Sequence, residues 1–528
     1  MIGERAPLFR GFLNADNLRS SSLRGRLDAL FATREGAVGA LKQSIVALVL
    51  AALTYGIPSA VGILGNEWTT SIAMLSVVSI LTFLLCRVSK ASYMYYLVAL
   101  ILTQSVFSGP WSWISGGAIP FAITEAKTIS VGVAALVLSR QIIRVLARSR
   151  TLSFVLGIYV LAVLLSIRSF DLGMLAYGRN FLLPMILMLV VAAISRDWDW
   201  GKRLGFLRDL VIFVTIVLVG GTLLELAVGT GQWRAFFNAE SIDALASLST
   251  ATTLFGLELG RVGGFIMEPV TAGYMATGAL LAIAGLQVAQ RSRPRSIFWL
   301  AIAANLLVAV TAGTKNTVLM IGIAVLISGL IAALPRLHAT FLILAAWGGA
   351  FGAVLLYVVL IKSPESLSRV FTDPLSLIGG DSTVIHLAGL IKGVEGAIMN
   401  PLGQGLGVGG NFRNNFNEST SRTFASWLGT GAESAIGVLA FQTGIVGLLA
   451  FIALVIAFAR SWGPWAAIFL GTWSASALFA ESMFGPQVAS LFMISAALMR
   501  EPPARFLPFH KIARDDEREI NRASPKIR

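Results

Sequence analysis

Runs of apolar residues long enough to cross a bilayer alternate with short polar breaks along almost the whole chain. Fourteen can be drawn, near 43–64, 69–86, 91–108, 119–138, 152–167, 180–195, 205–228, 270–289, 297–312, 316–334, 340–361, 432–458, 464–483 and 485–499. Hydrocarbon supplies no hydrogen-bond partner, so a spanning segment of an open chain pairs its own backbone groups as a helix. The pattern predicts an all-α, polytopic integral membrane helical bundle of about 12–14 transmembrane helices.

One break is far longer than the rest. The pattern divides the chain into a basic tail at 1–42, a transmembrane bundle at 43–362, a large loop at 363–431, C-terminal transmembrane helices at 432–500 and a tail at 501–528. Inside the loop, apolar residues at 384, 387, 391, 394 and 398 have helical spacing and predict an amphipathic helix lying on the membrane or on the bundle. Asn400-Pro401 stops that helix, and glycines at 403, 405, 407, 409 and 410 make a turn-rich segment. A polar excursion of this size on a membrane scaffold is where function is expected.

Charge adds the orientation. Arg87 and Lys90, Arg140 to Arg150, Arg196 with Lys202 and Arg203, the arginines at 291, 293 and 295, Arg336 and Arg460 fall on one side, together with both arginine-rich termini. Positive residues in short loops mark the cytoplasmic side, so the loops at 363–431 and 229–260 are expected to be periplasmic. Only 13% of the residues are charged and 56% are hydrophobic, where a soluble domain carries about a quarter charged. The net charge of +14 is therefore assigned to topology and not to nucleic acid. The amino terminus shows no cleavable signal pattern, and Cys86, the only cysteine, excludes intrachain disulfides and cysteine metal clusters. No internal repeat is visible, which weighs against transporters built from repeated halves.

Four places carry candidate chemistry. Arg261-Val-Gly-Gly-Phe-Ile-Met-Glu268-Pro269 opens the eighth apolar run on the outer side. Its glycines permit a tight turn, Pro269 suits a helix start, and Arg261 there is either a phosphate or carboxylate ligand or a headgroup contact. Lys315, in the hairpin Thr311-Ala-Gly-Thr-Lys315-Asn316-Thr317, is either an anion ligand or a topology exception. In the loop, Arg369, Lys392, Arg413 and Arg422 supply positive charge, and His386 is a general base, an anion ligand or a solvated side chain. Glu433, at the start of the twelfth run, either favours the helix dipole or orients a hydroxyl and accepts its proton. Glu125, Lys127, Glu225 and Glu481 are further near-membrane charges; Glu125 and Lys127 are two apart and need separate partners.

These segments in this order resemble the O-antigen ligase/polymerase superfamily, integral-membrane glycosyltransferases that join lipid-linked glycans. The resemblance covers roughly residues 255–450 and has three motifs. Arg261 to Pro269 has the Glu-Pro form similar to exopolysaccharide polymerases. Pro401-Leu-Gly-Gln-Gly405-Leu-Gly407 matches the second motif, with His386 where many members have Arg fifteen residues earlier. Glu433-Ser434, nine residues, then Gly444-Ile-Val-Gly447 keeps the spacing of the third, with Glu in place of the ligase His. Lys315-Asn316 stands where a Ser-Arg is usual.

The resemblance implies a glycosyltransferase C-type bundle and a Wzy-type polymerase that joins undecaprenyl-diphosphate-linked oligosaccharide repeat units into a surface polysaccharide or exopolysaccharide at the outer face of the bacterial inner membrane. It implies Glu433 and His386 as catalytic residues and Arg261, Lys315, Arg369, Lys392, Arg413, Arg422 and Glu268 as diphosphate- or glycan-binding residues. No metal and no cofactor are expected. The partners expected are the lipid-linked oligosaccharide, the bilayer, and chain-length and export proteins. The alternatives are a transporter or flippase of a lipid-linked sugar or other anion, an O-antigen ligase, and a non-catalytic assembly partner.

Overall fold

Hydrocarbon leaves an apolar run one open-chain solution, and the fold is built from it. The structure is a computed structural model that describes residues 34–64, 67–114, 124–237, 252–254, 257–259, 261–290, 296–334, 338–362, 364–372, 382–410 and 434–500. It is a polytopic helical membrane bundle. In chain order the helices are α1 (Arg34–Leu64), α2 (Glu67–Val88), α3 (Lys90–Ile114), α4 (Ala126–Val137), α5 (Ser139–Leu146), α6 (Arg150–Leu165), α7 (Leu172–Ile194), α8 (Trp200–Val228) and α9 (Thr230–Phe236). A small antiparallel hairpin of β1 (Thr252–Leu254) and β2 (Leu257–Leu259) follows. Then come α10 (Pro269–Gln290), α11 (Ser296–Thr311), α12 (Lys315–Ala333), α13 (Ala339–Tyr357), α14 (Pro364–Thr372), α15 (Ser382–Met399), α16 (Ala435–Trp462), α17 (Pro464–Ser476) and α18 (Pro486–Leu498).

Every apolar run read from the sequence falls on a helix. Among the described residues seven helices are long and apolar enough to cross a membrane, and α4 with α5 makes an eighth if that pair, bent by 75°, is one span. Several other apolar helices among the described residues are shorter: α6 and α18 have 16 and 13 residues. At about 1.5 Å per residue those lengths fall short of a ~30 Å hydrocarbon layer.

The centre and the periphery separate by burial. The most apolar windows of α7, α10 and α16 are 78%, 72% and 67% buried, against 22% for α2, whose outer residues are exposed apolar side chains such as Ile72, Leu75 and Ile80. In the centre Phe181, Phe451, Trp473 and Phe484 form an aromatic cluster with ring centroids 5.1–5.9 Å apart. The Trp473 indole donates to the Met483 carbonyl at 2.6 Å, which fixes the 3₁₀ turn Glu481–Phe484 on the cluster.

Helix α15 is the amphipathic helix expected in the large loop, and it lies on the bundle, packed along α16. Val384, Leu387, Ala388, Leu390 and Ala397 are buried, while Ile398 and Met399 face out. Glycines on both sides of the seam let the two backbones touch: a Cβ on Gly393 would collide with the Gly437 carbonyl, and one on Gly437 with that of Gly389.

At the opposite end of the bundle Arg500 gathers helix termini. Its guanidinium donates to Ala192 O (3.0 Å) and Ser195 Oγ (2.9 Å) at the end of α7 and to Ala497 O (2.6 Å) in α18. Its own carbonyl accepts from Arg203 of α8 at 2.7 Å. Cations belong at helix C-termini, where the last carbonyls carry partial negative charge.

The seam makes a testable demand. Gly393→Leu should destabilise the purified protein by about 3 kcal/mol through overpacking. Gly322→Ala, whose Cβ would meet open space, should be neutral or slightly stabilising. Thermal unfolding in one detergent compares them; equal midpoints would show that the seam is not tight.

Candidate functional site

The glycine turn after α15 completes a broken helix. Gly444, inside α16, has φ 70° and ψ −174°, so the helical ladder is interrupted there. A break at this place strips the Phe441 and Gln442 carbonyls and the Val446 amide of their helical partners. The turn supplies all three: Gln404 N donates to Phe441 O (2.9 Å), Gly405 N to Gln442 O (3.1 Å), and Pro401 O accepts from Val446 N (3.5 Å). The Gln442 side chain then clamps the turn, accepting from Gly407 N at 3.2 Å and donating to Gly409 O at 2.7 Å. Leu406 N bonds Ser166 O at 2.7 Å and Arg168 bonds Gly403 O at 2.5 Å, which ties the turn to the corner between α6 and α7. Gly403, Gly405, Gly407, Gly409 and Gly410 all have positive φ. A Cβ on Gly403 would come 2.5 Å from Gly444 N. The second and third sequence motifs thus form one interlocked unit.

The first motif is locked in the same way, by a carboxylate. Glu225, at the end of α8, accepts from Gly263 N at 2.9 Å and Gly264 N at 2.6 Å. Trp233 of α9 donates to Gly264 O at 3.1 Å, and Arg234 to Arg261 O at 3.3 Å. Val262 N donates to Thr311 O at 3.1 Å, and Gly273 packs on Ala312, Thr314 and Thr317. The Arg261 segment and the Lys315 hairpin are therefore adjacent and joined. Arg261 is half-buried and Lys315 exposed on the first residue of α12. Glu268 accepts from the Thr271 hydroxyl at 2.7 Å at the start of α10.

Helix α7 carries a further set of buried polar contacts. Arg179 forms an ion pair with Glu125, whose side chain is 6% exposed. Lys127 bonds Gln104 Oε1 and the Thr124 carbonyl (3.0 Å), within electrostatic reach of Glu125, Glu268 and Arg179. Glu125 and Lys127 thus have separate partners, as their spacing requires. Two residues before Arg179 on α7, and so on a different face, Tyr177 donates to Glu481 Oε1 at 2.6 Å. A Cβ on Gly410 would meet both Tyr177 Oη and, at 2.5 Å, Glu481 Oε1. The amide nitrogen of buried Asn180 has no protein partner among the described residues and borders a narrow crevice between Tyr177, Phe181, Ala435, Val438, Glu481 and Phe484. Ala435 is two residues after Glu433.

Beside the α15–α16 seam lies an apolar groove of about 660 Å³, walled by Trp347 and Phe351 of α13, Ile391 and Val394 of α15, and Leu448 and Ile452 of α16. Lys392 lines it and is paired with Glu395 at 2.6 Å, so its charge is already engaged. His386 is half-buried one turn into α15, and Arg369 is exposed in the last turn of α14. Glu433, Arg413 and Arg422 lie outside the described residues. The structure thus joins Arg261, Lys315 and Glu268, and separates them in sequence from Lys392, His386 and Arg369, which belong to the α14–α15 side.

Sequence reading missed Arg179, Arg234, Tyr177 and Gln442. Arg179 was legible as a lone cation beside an apolar run, and Arg234 as a cation after Trp233; Tyr177 and Gln442 gave no signal apart from the general rule that a buried polar group needs a partner.

The Glu225 lock generates a prediction. Glu225→Ala should leave two buried amides unpaired and cost about 2–4 kcal/mol, whereas Glu225→Gln keeps an acceptor and should cost about 1 kcal/mol. Hydrogen exchange at residues 263 and 264 reports it; unchanged protection in Glu225→Ala would show that the carboxylate does not hold the segment. No protein-family model matches this chain, and no curated protein matches its sequence.

Proposed function

We propose that the chain is a membrane polymerase, a glycosyltransferase that joins undecaprenyl-diphosphate-linked oligosaccharide repeat units into a surface polysaccharide or exopolysaccharide at the outer face of the inner membrane. The observation that carries this reading is the joining of remote segments in two pairs. The Arg261 segment is bonded to the Lys315 hairpin, and the glycine turn is bonded to the helix that begins at Ala435, with Tyr177 and Glu481 beside that turn. Lys315 sits on the first residue of α12, where unpaired amides already carry positive charge; a cation at that place is favourable once an anion is bound.

In this reading Arg261 and Lys315, with His386 or the loop arginines 413 and 422, neutralise the diphosphate as it leaves. The acceptor hydroxyl attacks the anomeric carbon, the bond from that carbon to the diphosphate oxygen breaks, and the hydroxyl proton passes to Glu433 or His386. Undecaprenyl diphosphate is the leaving group, good enough that no covalent intermediate is needed. Glu481, fixed by Tyr177, offers a carboxylate at the crevice lined by Ala435 and Val438. The apolar groove along α15 and α16 has the character an isoprenoid tail requires. Because Lys392 is engaged by Glu395, it is a weaker phosphate ligand here than the sequence suggested.

A transporter or flippase is the second reading, favoured by the buried pair of Glu125 with Arg179 and by buried Lys127. One experiment separates them: the glycan size distribution from cells carrying Arg261→Ala or Lys315→Ala at matched membrane expression. Polymerase action predicts a loss of long polymer of about a hundredfold, with single repeat units accumulating and lipid-linked precursor still reaching the outer face. Precursor trapped on the inner face would instead support the flippase. Unchanged polymer would remove both cations from the site.

A further inference from the structure

Three guanidinium groups converge at the end of the bundle away from the glycine turn. Arg203 is 7% exposed, stacks its guanidinium 5.4 Å from the Trp200 ring centre, donates one N–H to Arg500 O, and leaves its Nε without a partner among the described residues. Arg500 is held at Ala192, Ser195 and Ala497 and lies 5.9 Å over Trp462. Arg148 is exposed at the corner between α5 and α6; its neighbour Ser149 bonds Ser461 at 3.1 Å, beside the Trp462 on which Arg500 lies, and Arg148 is within electrostatic reach of Arg500. Burial first, and then the charges of Arg203 and Arg148, lower the pKa of the Arg500 guanidinium.

Among the described residues the local negative charge does not balance three arginines. Each helix C-terminus is worth roughly half an electron charge, so the ends of α7 and α18 offset about one guanidinium. Asp199 is the carboxylate within reach of Arg203, and it already caps α8 by accepting from Lys202 N at 2.7 Å. Asp197 is exposed and lies 3.8 Å from Arg196. Among the described residues one to two positive charges are left over, partly buried, beside half-buried Trp200 and buried Trp462. Tryptophan at a bundle end marks the headgroup level of a bilayer.

We infer that this end of the bundle binds the phosphate of an anionic phospholipid headgroup between Arg148, Arg203 and Arg500. The planar guanidinium groups fit a phosphodiester bidentately, the orphaned Nε of Arg203 gains an acceptor, and half-buried Trp200 takes the glycerol carbons. Basic pockets between helices at a membrane face hold such headgroups. The site is separate from the proposed reaction, since Arg179 and Ala192 are about 20 Å apart along α7.

Native mass spectrometry of the detergent-purified protein, with phosphatidylglycerol and phosphatidylcholine offered in equal amounts, tests it. The wild type should retain phosphatidylglycerol preferentially. Arg148→Ala should weaken that retention about fivefold and Arg203→Met at least as much, about one headgroup contact each. Arg148 is exposed, so its variant folds and decides the matter if Arg203→Met does not. Equal retention of the two lipids, or retention unmoved by Arg148→Ala, overturns the proposal. Displacement of the lipid by inorganic phosphate at equal concentration would assign the arginines to a free anion and overturn the lipid as the ligand.

Discussion

Three backbone groups exposed by the kink at Gly444 set the terms for the rest of the molecule. In hydrocarbon an unpaired carbonyl or amide costs several kcal/mol, so irregular backbone survives at membrane depth only where protein covers it. The turn at 401–410 meets the condition group for group, and it can do so only because glycine tolerates the positive φ values that bring its amides inward. The aromatic cluster under Glu481, the Tyr177–Glu481 bond and the corner at Ser166 and Arg168 all press on that turn. Remove it and the helix behind it loses its partner.

The same economy of means holds Arg261. Its segment buries Val262, Ile266 and Met267, Gly263 turns back on Met267, Gly264 approaches α8 too closely for a Cβ, and the backbone is held by Glu225, Trp233 and the bond to Thr311. The cationic side chain is thereby presented from a fixed backbone, which is what recognition of a phosphate needs from a scaffold. Positive charge at the other end of the bundle has a different setting: there Arg203 and Arg500 are stacked on indoles and aimed at carbonyls.

The helical bundle was legible because hydropathy alone decides it, and the loop helix because its apolar residues have helical spacing, although Ile398 of that set faces out while Gly393 meets α16. Hydropathy does not report where a helix stops, and α6 and α18 are apolar but short. The glycine run read correctly as a turn, yet nothing local says that it pairs with Phe441, Gln442 and Val446, since a pairing between remote segments leaves no periodic trace. Glu125 and Glu225 stood out as isolated charges, but their pairings did not: Arg179 shows as a lone cation with nothing local to link it to Glu125, and two glycine amides carry no sequence signature. The order of the three motifs pointed to one site; the hydrogen bonds between Val262 and Thr311 and between Gly405 and Gln442 are what join them pairwise.

The interlock of turn and kink has a consequence for how this sequence can drift. Neither partner is stable in a relative's background: a turn without glycines cannot reach α16, and a straight α16 has no free groups for the turn to meet. Residues 401–410 and 441–446 should therefore be inherited as a block, lost or kept together, and chimaeras that cross over between them should fail more often than those that cross elsewhere.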